Sequence, residues 1–232
     1  MSTSNTPIKW TPLHPIAQSL GAQFVEQHGW HIPEVYTTLE AEVAAARGGV
    51  ALAEETPNGK LTVQSRQTEA VLHAAFDLSA LAIGAGAIIE SDRVYRLRND
   101  LFFVSTPPGG EDATREKLTA TAQTSGLFVT VTDITHGRTE IRAIGPASQE
   151  LLSKVCGLDF HPLVFPDGGA QQSSLAKTTQ LIIRRDIGQL PAFSLIGARS
   201  LGAYLWDTIM QAGREWGLAP IGRAALQVLE EN

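Results

Sequence analysis

The sequence predicts an α+β fold of antiparallel sheets made from two copies of one unit: strand, helix, three strands, helix. Two observations carry that prediction. The same succession of alternating and helical periodicities is traversed twice between Gly59 and Gly217. The strand-like runs within each copy are joined by short turns, such as Asn99-Asp100. Such turns suit hairpins with helices on one face, not parallel crossovers.

In the first copy, Gly59 to Gln64 alternates apolar and polar residues like a half-buried strand. A helix is expected over Gln67–Phe76, then strands at Ala87–Ile89, Arg93–Leu97 and Leu101–Ser105. A helix over Glu111–Ser125 should stop at Gly126, since glycine readily takes the left-handed conformation of a helix end. In the second copy, Gly137 to Arg142 alternates in the same way, and a helix over Pro146–Val155 starts on proline. Strands follow at Ser173–Lys177, Leu181–Arg185 and Phe193–Ile196, and a helix over Ser200–Trp216 ends at Gly217. Ahead of the repeat, residues 1–10 read as a disordered leader. Amphipathic helices are expected over Leu13–Gln27 and Glu34–Arg47, separated by Gly29 and Pro33. Residues 11–232 are therefore expected to form one domain, with halves at about 50–126 and 127–217.

Composition excludes several classes. The chain has 232 residues, 43% hydrophobic and 18% charged, the balance of an ordinary globular protein. A net charge of −6 argues against a nucleic-acid partner, which needs a concentrated basic face. The densest basic cluster, Arg184-Arg185, is followed by Asp186 and reads as a solvated strand end. The single Cys156 excludes an intramolecular disulfide and reads as a small buried residue. No apolar run approaches the ~20 residues of a membrane span, and residues 1–10 lack the pattern of a signal peptide. A cytoplasmic protein is expected by elimination.

Candidate chemistry is sparse. Glu90-Ser91-Asp92 lies between two strand runs with Tyr95 just beyond. Two carboxylates there can serve general acid–base work on a nitrogen heterocycle, or simply form a polar hairpin. His28 and His31 lack a third ligand of metal-site spacing, so no metal is expected. His136, close to Asp133, fits either a tuned base or a strand cap. Gly84-Ala85-Gly86 is no dinucleotide fingerprint, and Pro107 to Gly110 lacks the Lys-Ser/Thr of a phosphate loop.

Several segments resemble the aminomethyltransferase (glycine-cleavage T-protein) family. They are Leu20-Gly21-Ala22, Gly29 to Tyr36, Arg47 to Leu52 with Glu54, Gly59-Lys60-Leu61, Val94 to Leu97, Gly145-Pro146-Ala147 and Gly217 to Gly222. From His136 to Gly217 the chain is more similar to a sister branch, the gamma subunit of heterotetrameric sarcosine oxidase. That likeness rests on Lys154 to Pro162 and on Ala198-Arg199-Ser200 leading to Tyr204-Leu205-Trp206.

The resemblance implies a duplicated folate-binding core, tetrahydrofolate as the cofactor, Tyr95, Gln189 and Tyr36 as cofactor-binding residues, and Glu90 and Asp92 as catalytic carboxylates in place of the family's usual aspartate. It also implies departures. The aspartate that orients the folate in the family lands on Ser91, the glutamate that binds the pterin on Gln189, and the arginine of the closing motif on Leu226. The histidine before the Gly-Lys turn lands on Pro57. A carboxylate accepts two pterin N–H donors, whereas Gln189 offers one amide face without charge. Each charge-assisted bond lost removes about 1.5–3 kcal/mol, so folate binding is conditional on compensation by Glu90 and Asp92.

The expected function is a T-protein-like or sarcosine-oxidase-gamma-like protein of glycine or sarcosine metabolism, with reduced or no catalysis of its own. The resemblance implies a further C-terminal domain that this chain is expected to lack, so larger oxidase or dehydrogenase subunits, or a second copy, are the expected partners. The alternative is a compact tetrahydrofolate-dependent aminomethyltransferase or methyltransferase. A third reading is the folate-binding repair protein for iron–sulfur enzymes. It is set aside because that group's cysteine motif falls where Gly188-Gln189 stands, and Cys156 lies elsewhere.

Overall fold

A computed structural model describes residues 8–78 and 80–231. The chain opens with β1 (Lys9–Trp10), α1 (His14–Ser19), β2 (Gln23–Gln27), β3 (Trp30–Val35) and α2 (Leu39–Gly48). The first copy comprises β4 (Ala51–Glu54), β5 (Gly59–Gln64), α3 (Thr68–Phe76), β6 (Gly86–Ile89), β7 (Asp92–Arg98), β8 (Leu101–Thr106) and α4 (Glu111–Ser125). The second comprises β9 (Thr130–Asp133), β10 (Arg138–Ile144), α5 (Ser148–Ser153), β11 (Ala170–Leu175), β12 (Thr178–Arg184), β13 (Ala192–Ala198) and α6 (Gly202–Ala212). The described chain ends with β14 (Ala219–Ile221) and α7 (Arg223–Glu231).

One sheet has the order β6-β7-β8-β5-β9 and the other β11-β12-β13-β10-β4-β14. Each copy contributes three hairpin-linked strands and the strand that precedes its first helix. The added strands are exchanged: β4, which leads into β5, pairs with β10, and β9, which leads into β10, pairs with β5. The crossing points match. Lys60 N–H donates to Thr135 Oγ1 at 2.9 Å, and Glu140 N–H donates to Thr56 Oγ1 at 3.2 Å. Likewise Ile134 N–H donates to the Lys60 carbonyl and Glu55 N–H to the Glu140 carbonyl.

Alternation along each strand sends apolar residues to opposite faces. Leu61, Val63, Val94, Phe102 and Val104 pack under α3 and α4, together with Val71, Leu72 and Leu118. Ile141, Ala143, Ile182, Phe193 and Leu195 pack under α5 and α6, with Leu151, Leu152, Leu205 and Trp206. Tyr95, Phe103, Leu181, Ile183 and Ile196 form a separate cluster on the opposite strand faces, where the two sheets meet. Side chains such as Leu61 are fully buried, and a buried leucine or phenylalanine contributes roughly 1.5–3 kcal/mol.

The N-terminal segment differs from expectation. Residues 1–7 of the expected leader lie outside the described residues, while Lys9–Trp10 pairs in parallel with β3. The helix expected over Leu13–Gln27 ends at Ser19. Gly21, at φ +81°, turns the chain into β2. His28 and Gly29 both have positive φ, as a two-residue hairpin turn requires, so β2 folds back on β3. Pro33 lies within β3 instead of breaking a helix, and α2 starts only after Thr38, whose side chain accepts from Ala41 N–H.

Candidate functional site

The meeting of the two sheets leaves a cleft of about 490 Å³, within the range of small-molecule sites. The ends of β6 and β7 supply Gly86, Ala87, Ile88, Arg93 and Tyr95, and β10 supplies Arg142. The end of β12 and the loop after it supply Arg184 to Gly188, Asp167-Gly168 closes one side, and α7 supplies Glu230. Glycine at 86 lets the strand pass the Tyr95 ring, which a Cβ there would strike.

The charges in this layer are paired in a chain. Arg185 Nη2 donates to both Glu55 oxygens at 2.7 and 2.6 Å. Arg142 Nη1 donates to Glu230 Oε1 at 2.7 Å and Nη2 to the Arg185 carbonyl at 2.7 Å. Arg184 forks onto Asp186 through Nε and Nη2. Behind them Lys60 Nζ lies 2.9 Å from Glu140 Oε2. Burial pushes the Glu55 carboxyl up, but Arg185 and Arg142 prevail and hold it at about 2. Burial and the neighbouring Arg185 lower the Arg142 guanidinium from its ordinary value. Burial raises the Tyr95 hydroxyl, against the pull of Arg185 and Arg93.

Arg184-Arg185 is therefore not a solvated strand end. Both side chains are buried, at 6% and 9% exposure, each against its own carboxylate. Sequence reasoning also passed over Glu55, Arg93, Arg142 and Glu230. Asp186, two residues after Arg184, was the one local signal of pairing; Glu55 lies 130 positions from Arg185.

Of the site residues expected from the sequence, Tyr95 lines the cleft. Glu90 and Ser91 form the exposed β6–β7 turn, with Glu90 at φ +54°. Asp92 accepts from Thr114 Oγ1 at 2.7 Å, which directs it to α4. Gln189 sits exposed in the tight turn closed by Ile187 and Leu190, beside the cleft-lining Gly188. Tyr36 lies elsewhere: its backbone N–H donates to Glu42 Oε1 at 2.6 Å. Burial, with help from Glu54 and Glu42, raises its hydroxyl pKa. Leu226 packs in α7 beside Glu54. Thus Tyr95 and the neighbourhood of Gln189 come together, while Glu90, Asp92 and Tyr36 do not join them. The histidines His14 and His31 meet at 2.9 Å between rings of Trp10 and Phe24. No group of three His, Cys, Asp or Glu able to hold a metal occurs among the described residues.

A family model described as the GCVT N-terminal domain matches residues 13–231. The chain belongs to this family. Sarcosine oxidase subunit alpha of Corynebacterium sp. (strain P-1) is 25% identical over 96% of this chain and 26% of its own length. An aminomethyltransferase of Leptospira biflexa is 20% identical over 96% of this chain and 62% of its own. The chain thus spans about a quarter and under two thirds of these relatives. Among solved structures, the fold matches the glycine cleavage system aminomethyltransferase T of Bartonella henselae with a TM-score of 0.82, at 19% identity over 96% of this chain and 62% of that one. It also matches a chain of heterotetrameric sarcosine oxidase from Corynebacterium sp. U-96, with a TM-score of 0.65 and 23% identity over 77% of this chain and 92% of that one.

The cleft suits tetrahydrofolate in size but not in its donor set. Arg93, Arg142, Arg184 and Arg185 present N–H donors, and of the lining carboxylates Asp186 and Glu230 are already engaged by Arg184 and Arg142. A pterin's N–H edge would meet arginine donors in the majority, with Asp167 the one lining carboxylate that no arginine engages among the described residues.

Proposed function

We propose that this GCVT-family chain is a folate-binding-fold protein of one-carbon metabolism, in the glycine or sarcosine branch, with reduced or no transferase catalysis of its own. The observation that carries the reading is the position of the acidic residues. Glu90 is exposed in a turn, Asp92 is bonded to Thr114, and neither lines the cleft where Tyr95 stands. General acid–base work requires a carboxyl within hydrogen-bond reach of the reacting nitrogen. Residues 11–232 act as one domain with two related halves. Larger oxidase or dehydrogenase subunits, or a second copy, are its partners, and the cytoplasm is its compartment. No helix among the described residues is long and apolar enough to cross a membrane.

Calorimetric titration with 5-formyltetrahydrofolate tests the reading. Heat absent up to millimolar folate, with no aminomethyl or methyl transfer, is the expected result. Micromolar binding that is lost in Glu90→Gln or Asp92→Asn would instead establish the alternative, a compact tetrahydrofolate-dependent transferase. The size of the cleft and the presence of Tyr95 favour that second reading.

A further inference from the structure

The cleft holds more guanidinium donors than its own carboxylates use. Arg184 is taken by Asp186, Arg185 by Glu55 and Arg142 by Glu230. Arg93 makes no side-chain hydrogen bond or ion pair among the described residues, and its Nε is enclosed without an acceptor. The Nε atoms of Arg142 and Arg185 are likewise buried and unpartnered, and Arg142 as a whole is 2% exposed. Buried donors are rarely left without acceptors. At the cleft, the uncommitted guanidinium of Arg93 points to an acceptor supplied from outside the chain.

We infer that the cleft is a binding site for a small carboxylate, seated in the fork of Arg93 with Arg142 as its second donor. The planar fork of arginine fits the two oxygens of a carboxylate, and the residues already seated in this cluster, Glu55 and Glu230, are carboxylates themselves. Glu230 comes from α7 and its side chain is 44% exposed, so its hold on Arg142 can be exchanged for a ligand oxygen. Glu55, at 10% exposure and bound through both oxygens, is fixed in place. Gly168 and Gly188 keep the walls free of side chains, leaving room for the body that carries the carboxylate. The inference concerns the same cleft as the folate proposal but does not depend on it.

The test titrates the full chain by calorimetry with benzoate, its neutral isostere benzamide, and inorganic phosphate. Benzoate is expected to bind in the millimolar range, at least tenfold more tightly than benzamide. Arg93→Met should weaken benzoate at least tenfold, and Arg93→Lys should recover part of the loss. Because Arg93 makes no side-chain hydrogen bond or ion pair among the described residues, the variant should keep the native circular dichroism spectrum. The benzoate-to-benzamide ratio of the unaltered chain needs no variant at all. Equal binding of benzamide, or benzoate affinity unchanged in Arg93→Met, overturns the carboxylate site, as does phosphate binding tenfold more tightly than benzoate. A parallel titration with 5-formyltetrahydrofolate separates the two readings. Folate binding without a benzoate preference removes the carboxylate site and leaves a folate site standing. Benzoate binding without folate binding does the reverse, and identifies a free carboxylate, not a folate tail, as the occupant.

Discussion

Lys60 and Glu140 occupy equivalent strand positions in the two copies and meet each other at 2.9 Å, with side chains 0% and 1% exposed. Two unlike charges thus stand where an exact repeat would place two identical residues. Lys60 also donates to the carbonyls of Thr56 and Asn58, so its ammonium is satisfied without water.

Removing one partner should cost far more than removing both. Lys60→Met leaves Glu140 buried without its counter-ion, a loss of about 3–5 kcal/mol. Lys60→Met with Glu140→Leu should regain most of that. Urea unfolding of the two variants gives the answer, and a double variant no more stable than the single one contradicts the account.

The adjacent Glu54 and Glu55 should respond to pH in opposite senses. Burial raises Glu54 to about 7, against hydrogen bonds from Thr56 and Thr11. Between its unfolded value of 4.5 and about 7, the folded chain holds a proton that the unfolded chain has released. Stability is therefore full below that window and falls by about 3 kcal/mol as pH rises through it. Glu54→Gln should flatten this slope, with the gain over the unaltered chain widening from pH 5 to pH 8 in thermal unfolding.

Glu55 is held at about 2, because its arginine neighbours outweigh burial. Its contribution is present above the unfolded value and is lost as pH falls toward 2. Glu55→Gln should cost about 3–5 kcal/mol at neutral pH by leaving Arg185 unpaired. The deficit should shrink on acidification. A deficit that stays constant from pH 7 to pH 3 would contradict the pairing.

Gly86→Ala tests the close passage of β6 over Tyr95. The added methyl meets the ring and lies 2.9 Å from the Gly168 carbonyl oxygen. Overpacking of this kind costs about 1–3 kcal/mol, and calorimetry should show the loss together with a smaller cleft, read as weaker ligand uptake.

The Asp92–Thr114 bond ties β7 to α4. Thr114→Val and Asp92→Asn should each lower stability by about 1 kcal/mol, and a double-mutant cycle should show that the two losses do not add.

Legibility in the sequence followed the range of the interactions. Gly126 and Gly217 could be read as helix stops because a left-handed cap is a property of one residue, and both take it, at φ +65° and +64°. The hairpin strands were legible because turn and alternation lie within a few residues. The exchanged strands were not: Ala51–Glu54 and Thr130–Asp133 are four residues each and pair with strands about seventy to ninety positions away. Burial of Arg184 and Arg185 was hidden for the same reason, since a charge reads as solvated until its partner is located. Tyr95 reached the candidate site through its place beside Glu90-Ser91-Asp92 and through family likeness, whereas Arg93 and Arg142 became visible only once two strands from different copies faced each other.

The exchange of β4 and β9 also bears on how such a protein can be divided. A cut between α4 and β9 would strand each sheet's completing strand on the wrong fragment, leaving β5 and β10 with open ladders prone to foreign pairing. Neither fragment inherits a finished sheet, so the two must recombine to become native. What began as a repeat has become a mutual dependence, in which loss or replacement of one copy by recombination would disable the other.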